Sequence, residues 1–146
     1  MVSEYSNILF RIGMVLLGNE QDAQDVVQET FCRYIEKKPH LESREHEKAW
    51  LIRVTVNRCR DMQRFRLRHP EIRLTGMEKA GQLPEEGRVL QELWKLPGKL
   101  KTVIYLHYIE GYKTSEIADM LQVSKSAVKK RLQRGREQLR LTLSEK

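Results

Sequence analysis

Residues 113–139, KTSEIADMLQVSKSAVKKRLQRGREQL, hold two apolar stripes at helical spacing on either side of a two-residue corner. Ile117, Ala118 and Leu121 recur at i, i+1 and i+4, and Val128 and Leu132 lie four apart, so each segment predicts a short amphipathic helix with one face to bury. Thr114 and Ser124 stand just before these runs, where a hydroxyl oxygen accepts a hydrogen bond from a first-turn amide and sets the start of a helix. Only Gln122-Val123 separates the helices, and Ala118 is small enough to let them cross closely, as a helix-turn-helix requires. The turn position of Gln122 calls for a left-handed backbone, which costs a non-glycine residue about 1 kcal/mol. With Val128 and Leu132 turned inward, Ser126, Lys129, Lys130, Gln133, Arg134 and Arg136 project from the other faces. Cations, amides and hydroxyls of this kind hold phosphates and read base edges in a major groove. A basic helix face by itself is ordinarily a solvated surface. Here the turn length, the two caps and the apolar spacing all point to a DNA-reading helix.

Working outward, the charge is uneven. The 146 residues carry a net charge of +7, which favours an anionic partner, either nucleic acid or a membrane surface. Residues 1–68 hold 12 Lys/Arg against 10 Asp/Glu, residues 69–112 hold 6 against 6, and residues 113–146 hold 9 against 4. The excess is therefore concentrated around the basic helix. No window approaches the roughly 20 apolar residues of a spanning helix, and the N-terminus lacks the apolar core of a signal peptide, so a soluble cytoplasmic protein is expected. Cys32 and Cys59 form no CxxC pair, and His40, His46, His69 and His107 show no ligand spacing. Neither a disulfide framework nor a metal site is expected.

Upstream, EYSNILFRIGMVLLG (4–18) places Ile8, Leu9, Ile12, Leu16 and Val15 on one helical side and closes at Gly18-Asn19 with a C-cap signal. A second helix over 22–36 repeats Ala23, Val26, Val27, Phe31 or Thr30, and Tyr34/Ile35, with Asp22, Asp25, Gln28, Glu29 and Arg33 outside the stripe. Residues 17–36 carry five acids and one arginine, an acidic face open to solvent or to a basic partner. Residues 37–48, KKPHLESREHEK, read as a polar loop. A third helix is expected from Ala49 to about Arg66, with Trp50, Leu51, Val54, Cys59 or Arg58, and Met62 inward. Residues 50–68 hold six arginines against Asp61, so an acidic and a basic helix share one domain, which suggests two different partners. Two prolines, two glycines and no periodicity make 69–86 a linker. Beyond it Val89, Leu90, Leu93 and Trp94 predict one helix. Pro97 opens another, with Leu100, Val103, Ile104 and Leu106 to Tyr108 as core, ending at Gly111. The expected fold is all-α: a helical domain 1–68, a linker 69–86, and a helix-turn-helix domain 87–146.

In sequence the chain resembles the extracytoplasmic-function group of the sigma-70 family of RNA polymerase sigma factors, the minimal members that keep only regions 2 and 4. In the first half the resemblance rests on Gly18-Asn19, Asp22-Ala23, Asp25 through Phe31, Ala49-Trp50-Leu51, and Asn57 with Asp61. In the second half it rests on Leu96-Pro97, Tyr108, Glu110-Gly111, Glu116-Ile117-Ala118, Leu121, Val123-Ser124, Val128-Lys129, Arg131-Leu132, Arg134 and Arg136. Both blocks, in this order around a short linker, make it specific. The resemblance implies a promoter-specificity factor without catalytic site or cofactor. It implies that Asp22, Asp25, Gln28, Glu29 and Phe31 dock on the β′ clamp helices of core RNA polymerase. It assigns recognition and melting of the minus-10 promoter element to Asn57, Arg58, Arg60, Asp61 and Arg64, since melting needs a captured base and a strand held on cations. The minus-35 element falls to Ser126, Lys129, Lys130, Arg131, Gln133, Arg134 and Arg136. An anti-sigma factor is a further partner common in the group. The chain departs from the family pattern in a shorter lead-in to its first helix, in Glu47-Lys48 where an aromatic is common, and in Gln122 in place of a turn glycine.

Two rival functions fit the residues less well. A stand-alone helix-turn-helix regulator leaves the acidic helix without a purpose. An enzyme acting on DNA needs a supported nucleophile or a carboxylate cluster, and Ser3, Ser6 and Ser43 sit in no such constellation.

Overall fold

A computed structural model of the chain describes residues 2–37, 39–69, 92–93 and 95–144. They form six helices and, among the described residues, no strand: α1 Val2–Leu17, α2 Glu20–Lys37, α3 Arg44–Arg68, α4 Gly98–Ile104, α5 Thr114–Leu121 and α6 Lys125–Ser144. The fold is all-α, in two compact units, Met1–Gly76 and Met77–Lys146. Of the expected linker only His69 is described, and Val89, Leu90 and Trp94 also lie outside the described residues. No described helix is long and apolar enough to cross a membrane.

In the first unit α1 buries Tyr5, Ile8, Leu9, Ile12, Leu16 and Leu17, while the expected Val15 is only half-buried. Gly18, at φ 68°, ends the helix in the left-handed region, and its N–H donates to Met14 O at 2.8 Å. Asn19 then caps α2 by accepting the Asp22 N–H at 3.1 Å, so α2 begins at Glu20 rather than Asp22. A Cβ at Gly13 would stand 2.9 Å from Ala23 Cβ and 3.1 Å from Ala23 Cα, so the crossing of α1 and α2 has no room for one. The inner residues of α2 are Ala23, Val26 and Thr30. Ile35, expected inward, is 67% exposed, because the core face runs through Thr30 instead. The Thr30 hydroxyl donates to Val26 O at 2.8 Å and lies 3.1 Å from the Thr55 hydroxyl, which satisfies both buried groups.

Helix α3 corrects two expectations. It starts at Arg44, inside the segment read as a loop, because Ser43 Oγ accepts the His46 N–H at 3.1 Å and Glu45 and Glu47 lie against the positive end of the helix dipole. Its inner stripe is Leu51, Ile52, Thr55, Val56 and Cys59, whereas Trp50, Val54 and Met62 are half-buried on its flanks. Gln63 Nε2 donates to Leu16 O at 2.7 Å and ties α3 to the end of α1.

In the second unit Leu93, Leu96, Leu100, Val103 and Ile104 are buried. Helix α4 runs on into a π-helical turn, Tyr105–Ile109. Glu110 N–H reaches back five residues to Tyr105 O at 3.1 Å, and Tyr112 N–H reaches Leu106 O at 2.9 Å. The widened turn changes the register: Tyr105 and Leu106 stay inside, but Tyr108, expected in the core, is 54% exposed. Helix α5 is capped one residue earlier than expected. Glu116 Oε1 accepts the Lys113 N–H at 2.9 Å, and Thr114 is already the first helical residue. Ile117, Ala118 and Met120 are buried, with Leu121 at the margin. Gln122 adopts φ 58°, ψ 46°, the left-handed corner expected of it. Ser124 Oγ accepts the Ala127 N–H at 3.0 Å and starts α6, which buries Val128 and Leu132. A Cβ at Gly135 would come within 2.7 Å of Ile104 Cγ1, which marks the close approach of α6 to α4.

Candidate nucleic-acid and partner interfaces

The 20 residues of α6 span about 30 Å at 1.5 Å per residue. Val128, Leu132 and Gly135 face the core, and Ser126, Lys129, Lys130, Gln133, Arg134 and Arg136 are exposed, while Arg131 is half-buried on the flank. Among the described residues no acid pairs with Lys129, Lys130 or Arg134, so the face is a field of uncompensated charge. Arg136 Nη1 donates to Tyr108 Oη at 2.9 Å, and Gln133 Nε2 makes only a long contact, 3.5 Å, with Glu137.

The first unit treats its charges differently. Arg58 forms a forked pair with Glu29, its Nη2 lying 3.3 Å from Glu29 Oε1, and Arg66 pairs with Asp22. The hydrogen bond to Glu29 raises the Arg58 pKa, whereas burial lowers that of Arg66. Of the acids assigned to docking, Glu29 is therefore held across the α2–α3 contact by Arg58, an arginine assigned to the minus-10 element, and Asp22 by Arg66, which is not assigned to it. Asp25 and Gln28 remain exposed on α2. Phe31 is half-buried and, with Tyr5, Val27, Tyr34, Ile35 and Leu51, lines an open apolar groove of about 580 Å³. At its rim the Tyr34 hydroxyl donates to Glu47 at 2.5 Å, a bond that raises the Tyr34 pKa.

On α3, Asn57, Arg60, Asp61 and Arg64 follow at i, i+3, i+4 and i+7 and so share one face, on which Asn57, Asp61 and Arg64 are exposed and Arg60 is half-buried. Arg58 lies off that face, toward α2. Sequence reading missed the Asp22–Arg66 and Tyr108–Arg136 contacts. Their partners are 44 and 28 residues apart, and only the opposed net charges of α2 and α3 hinted at the first. No group of three or more His, Cys, Asp or Glu among the described residues is placed to hold a metal ion.

Two family descriptions match in order: Sigma-70 region 2 over residues 1–69 and Sigma-70, region 4 over residues 86–139. The ECF RNA polymerase sigma factor SigW of Bacillus subtilis is 30% identical, the match covering 98% of this chain and 87% of SigW. The RNA polymerase sigma factor CnrH of Cupriavidus metallidurans is 32% identical over 82% of this chain and 72% of its own length. The solved structure of CnrH with the cytosolic domain of CnrY superposes with a TM-score of 0.74 at 29% identity, covering 99% of this chain and 85% of that one. The sigma factor RpoE of Bartonella quintana, solved with the anti-sigma factor NepR, shares the fold at a TM-score of 0.78 and 19% identity, over 98% of this chain and 94% of its own. The chain belongs to the extracytoplasmic-function RNA polymerase sigma factors of the sigma-70 family, non-enzymatic promoter-specificity factors that bind core RNA polymerase and direct transcription initiation.

Proposed function

We propose that the two units divide this work between them: 1–68 docks on the β′ clamp helices of core polymerase and recognises and opens the minus-10 element, 69–86 links, and 87–146 reads the minus-35 element. The observation that carries the proposal is the contrast of exposed surfaces. Asp25 and Gln28 stand beside an apolar groove on one unit, while Lys129, Lys130 and Arg134 stand without acidic partners among the described residues of the other. The first pairs with a basic, partly apolar helix surface, the second with phosphates and base edges. Asn57, Arg60, Asp61 and Arg64, sharing one face of α3, are the minus-10 contacts, with Arg58 joining them when Glu29 releases it. The protein acts in the cytoplasm, where a partner of the anti-sigma kind, as NepR is for RpoE, competes for the same surfaces.

The test is a titration of the full chain against core polymerase, followed by transcription from a pool of upstream genomic fragments. Asp25→Lys is expected to weaken polymerase binding about tenfold while leaving duplex binding intact, since one displaced charge contact is worth about 1.4 kcal/mol. Unchanged polymerase affinity overturns the docking assignment. Arg134→Ala is expected to lower the slope of log K against log salt by about 0.9.

A further inference from the structure

Ser126, Lys129, Gln133 and Arg136 follow one another at spacings of three, four and three, and all four are exposed. At about 100° per residue this keeps them in one stripe on α6, with Arg136 about 15 Å along the axis from Ser126. A straight recognition helix presents its first turns to base edges, and residues that far along lie opposite the sugar-phosphate wall of the groove. Within the stripe Arg136 is anchored from outside its own helix, its Nη1 donating to Tyr108 Oη at 2.9 Å.

Tyr108 reaches that position because of the π-turn, a device often found at functional sites. The turn lifts Tyr108 out of the core, and the His107 ring holds it edge-on at 4.8 Å and 81°. His107 is itself fixed by its Nδ1 bond to Tyr112 O at 2.8 Å. A phenol that accepts a hydrogen bond from arginine keeps its own O–H to donate, and the guanidinium keeps further N–H groups in a planar fork. The pair therefore offers donors and positive charge side by side. Such a donor set suits an acceptor-only anion; a guanine edge also accepts from a guanidinium, so it is the distance of Arg136 from the first turns of α6 that points to a backbone phosphate.

We infer that Tyr108 and Arg136 form a clamp for a single DNA-backbone phosphate at the far end of the recognition stripe, with Tyr108 positioning the guanidinium. The inference rests on the reading of α6 as the helix that faces promoter DNA.

The experiment uses holoenzyme reconstituted with the full chain and a promoter fragment recovered from the genomic pool, with affinity measured over a range of salt. Tyr108→Phe is expected to weaken binding about fivefold without changing the salt slope, because the charge remains. Arg136→Ala is expected to weaken it about tenfold and lower the slope by about 0.9, and the double variant to fall within about twofold of Arg136→Ala. Replacing phosphates one at a time by neutral methylphosphonates is expected to reveal one position at which wild type, Tyr108→Phe and Arg136→Ala become equal. A purely structural tyrosine would keep its defect at every position, and that result overturns the clamp, as do additive losses or wild-type affinity of Tyr108→Phe. Lys129→Ala/Gln133→Ala separates the two readings. If that variant is impaired while Tyr108→Phe is not, the clamp alone fails. If it binds as wild type does, the placement of α6 on DNA fails and the clamp with it.

Discussion

The α2–α3 contact of the first unit pairs its charges, whereas α6 of the second displays them. Between α2 and α3, Glu29 meets Arg58 and Asp22 meets Arg66, and beneath them Thr30 and Thr55 share a hydrogen bond in the core. On α6 Lys129, Lys130 and Arg134 pair with no acid among the described residues, and the anchoring group of Arg136 is a neutral phenol. Both units contain abundant charge, so composition alone does not distinguish them. The difference lies in whether a partner is already in the fold, and it separates charge used to hold helices together from charge left for a ligand.

The largest effect that tests this contrast comes from the two close helix crossings. Gly13→Ala drives a Cβ against the backbone of Ala23, which cannot swing aside, and is expected to cost about 2–3 kcal/mol in the first unit. Gly135→Ala brings its Cβ to 2.7 Å from Cγ1 and 2.9 Å from Cδ1 of Ile104, side-chain rather than backbone atoms, and gains helix propensity, so its cost is expected to be smaller, about 1–2 kcal/mol. Hydrogen exchange of the α1 and α6 amides measures each separately, and equal costs would show that the two crossings are alike after all. The polar core of the first unit gives the next effect. The single Thr30 hydroxyl hydrogen goes to Val26 O, so Thr55 is the donor of the pair. Thr30→Val strands that donor and is expected to cost about 1–2 kcal/mol, with Thr30→Val/Thr55→Val costing less than the sum of the single changes. A neutral Thr30→Val would remove the polar pair from the account of this unit. The smallest effect belongs to the turn: Gln122→Gly is expected to stabilise the second unit by up to about 1 kcal/mol, read in the denaturant midpoint, without altering DNA affinity. No gain would mean that the corner is unstrained.

The helix-turn-helix was legible because the apolar spacing at Ile117, Val128 and Leu132, the Ser124 cap and the two-residue corner agreed, although the cap expected at Thr114 falls one residue earlier, at Lys113. The start of α3 was not, since KKPHLESREHEK is polar throughout and its helical turn is specified by Ser43 and two acids rather than by periodicity. Thr30 was open as an inner residue because a hydroxyl earns its place there only through Val26 O and Thr55, a partner 25 residues away. The π-turn has no hydrophobic period of its own, so Tyr108 was placed inward along with Leu106. The exposed face of α6 followed from its apolar stripe, whereas the docking and minus-10 residues came only from family resemblance, and the ion pairs that engage Asp22, Glu29 and Arg58 join positions 29 and 44 residues apart.

If α2 docks as proposed, the Glu29–Arg58 pair turns docking into an exchange. A cation arriving at Glu29 does not fill a vacancy, because it must displace the Arg58 fork. What the newcomer gains is offset by what the old pair loses, so the contact discriminates by geometry more than it adds affinity. The displaced guanidinium is then free to meet an anion beside α3. Occupancy on one side and available charge on the other become linked quantities, and a strand that claims Arg58 strengthens attachment at Glu29 by the same factor.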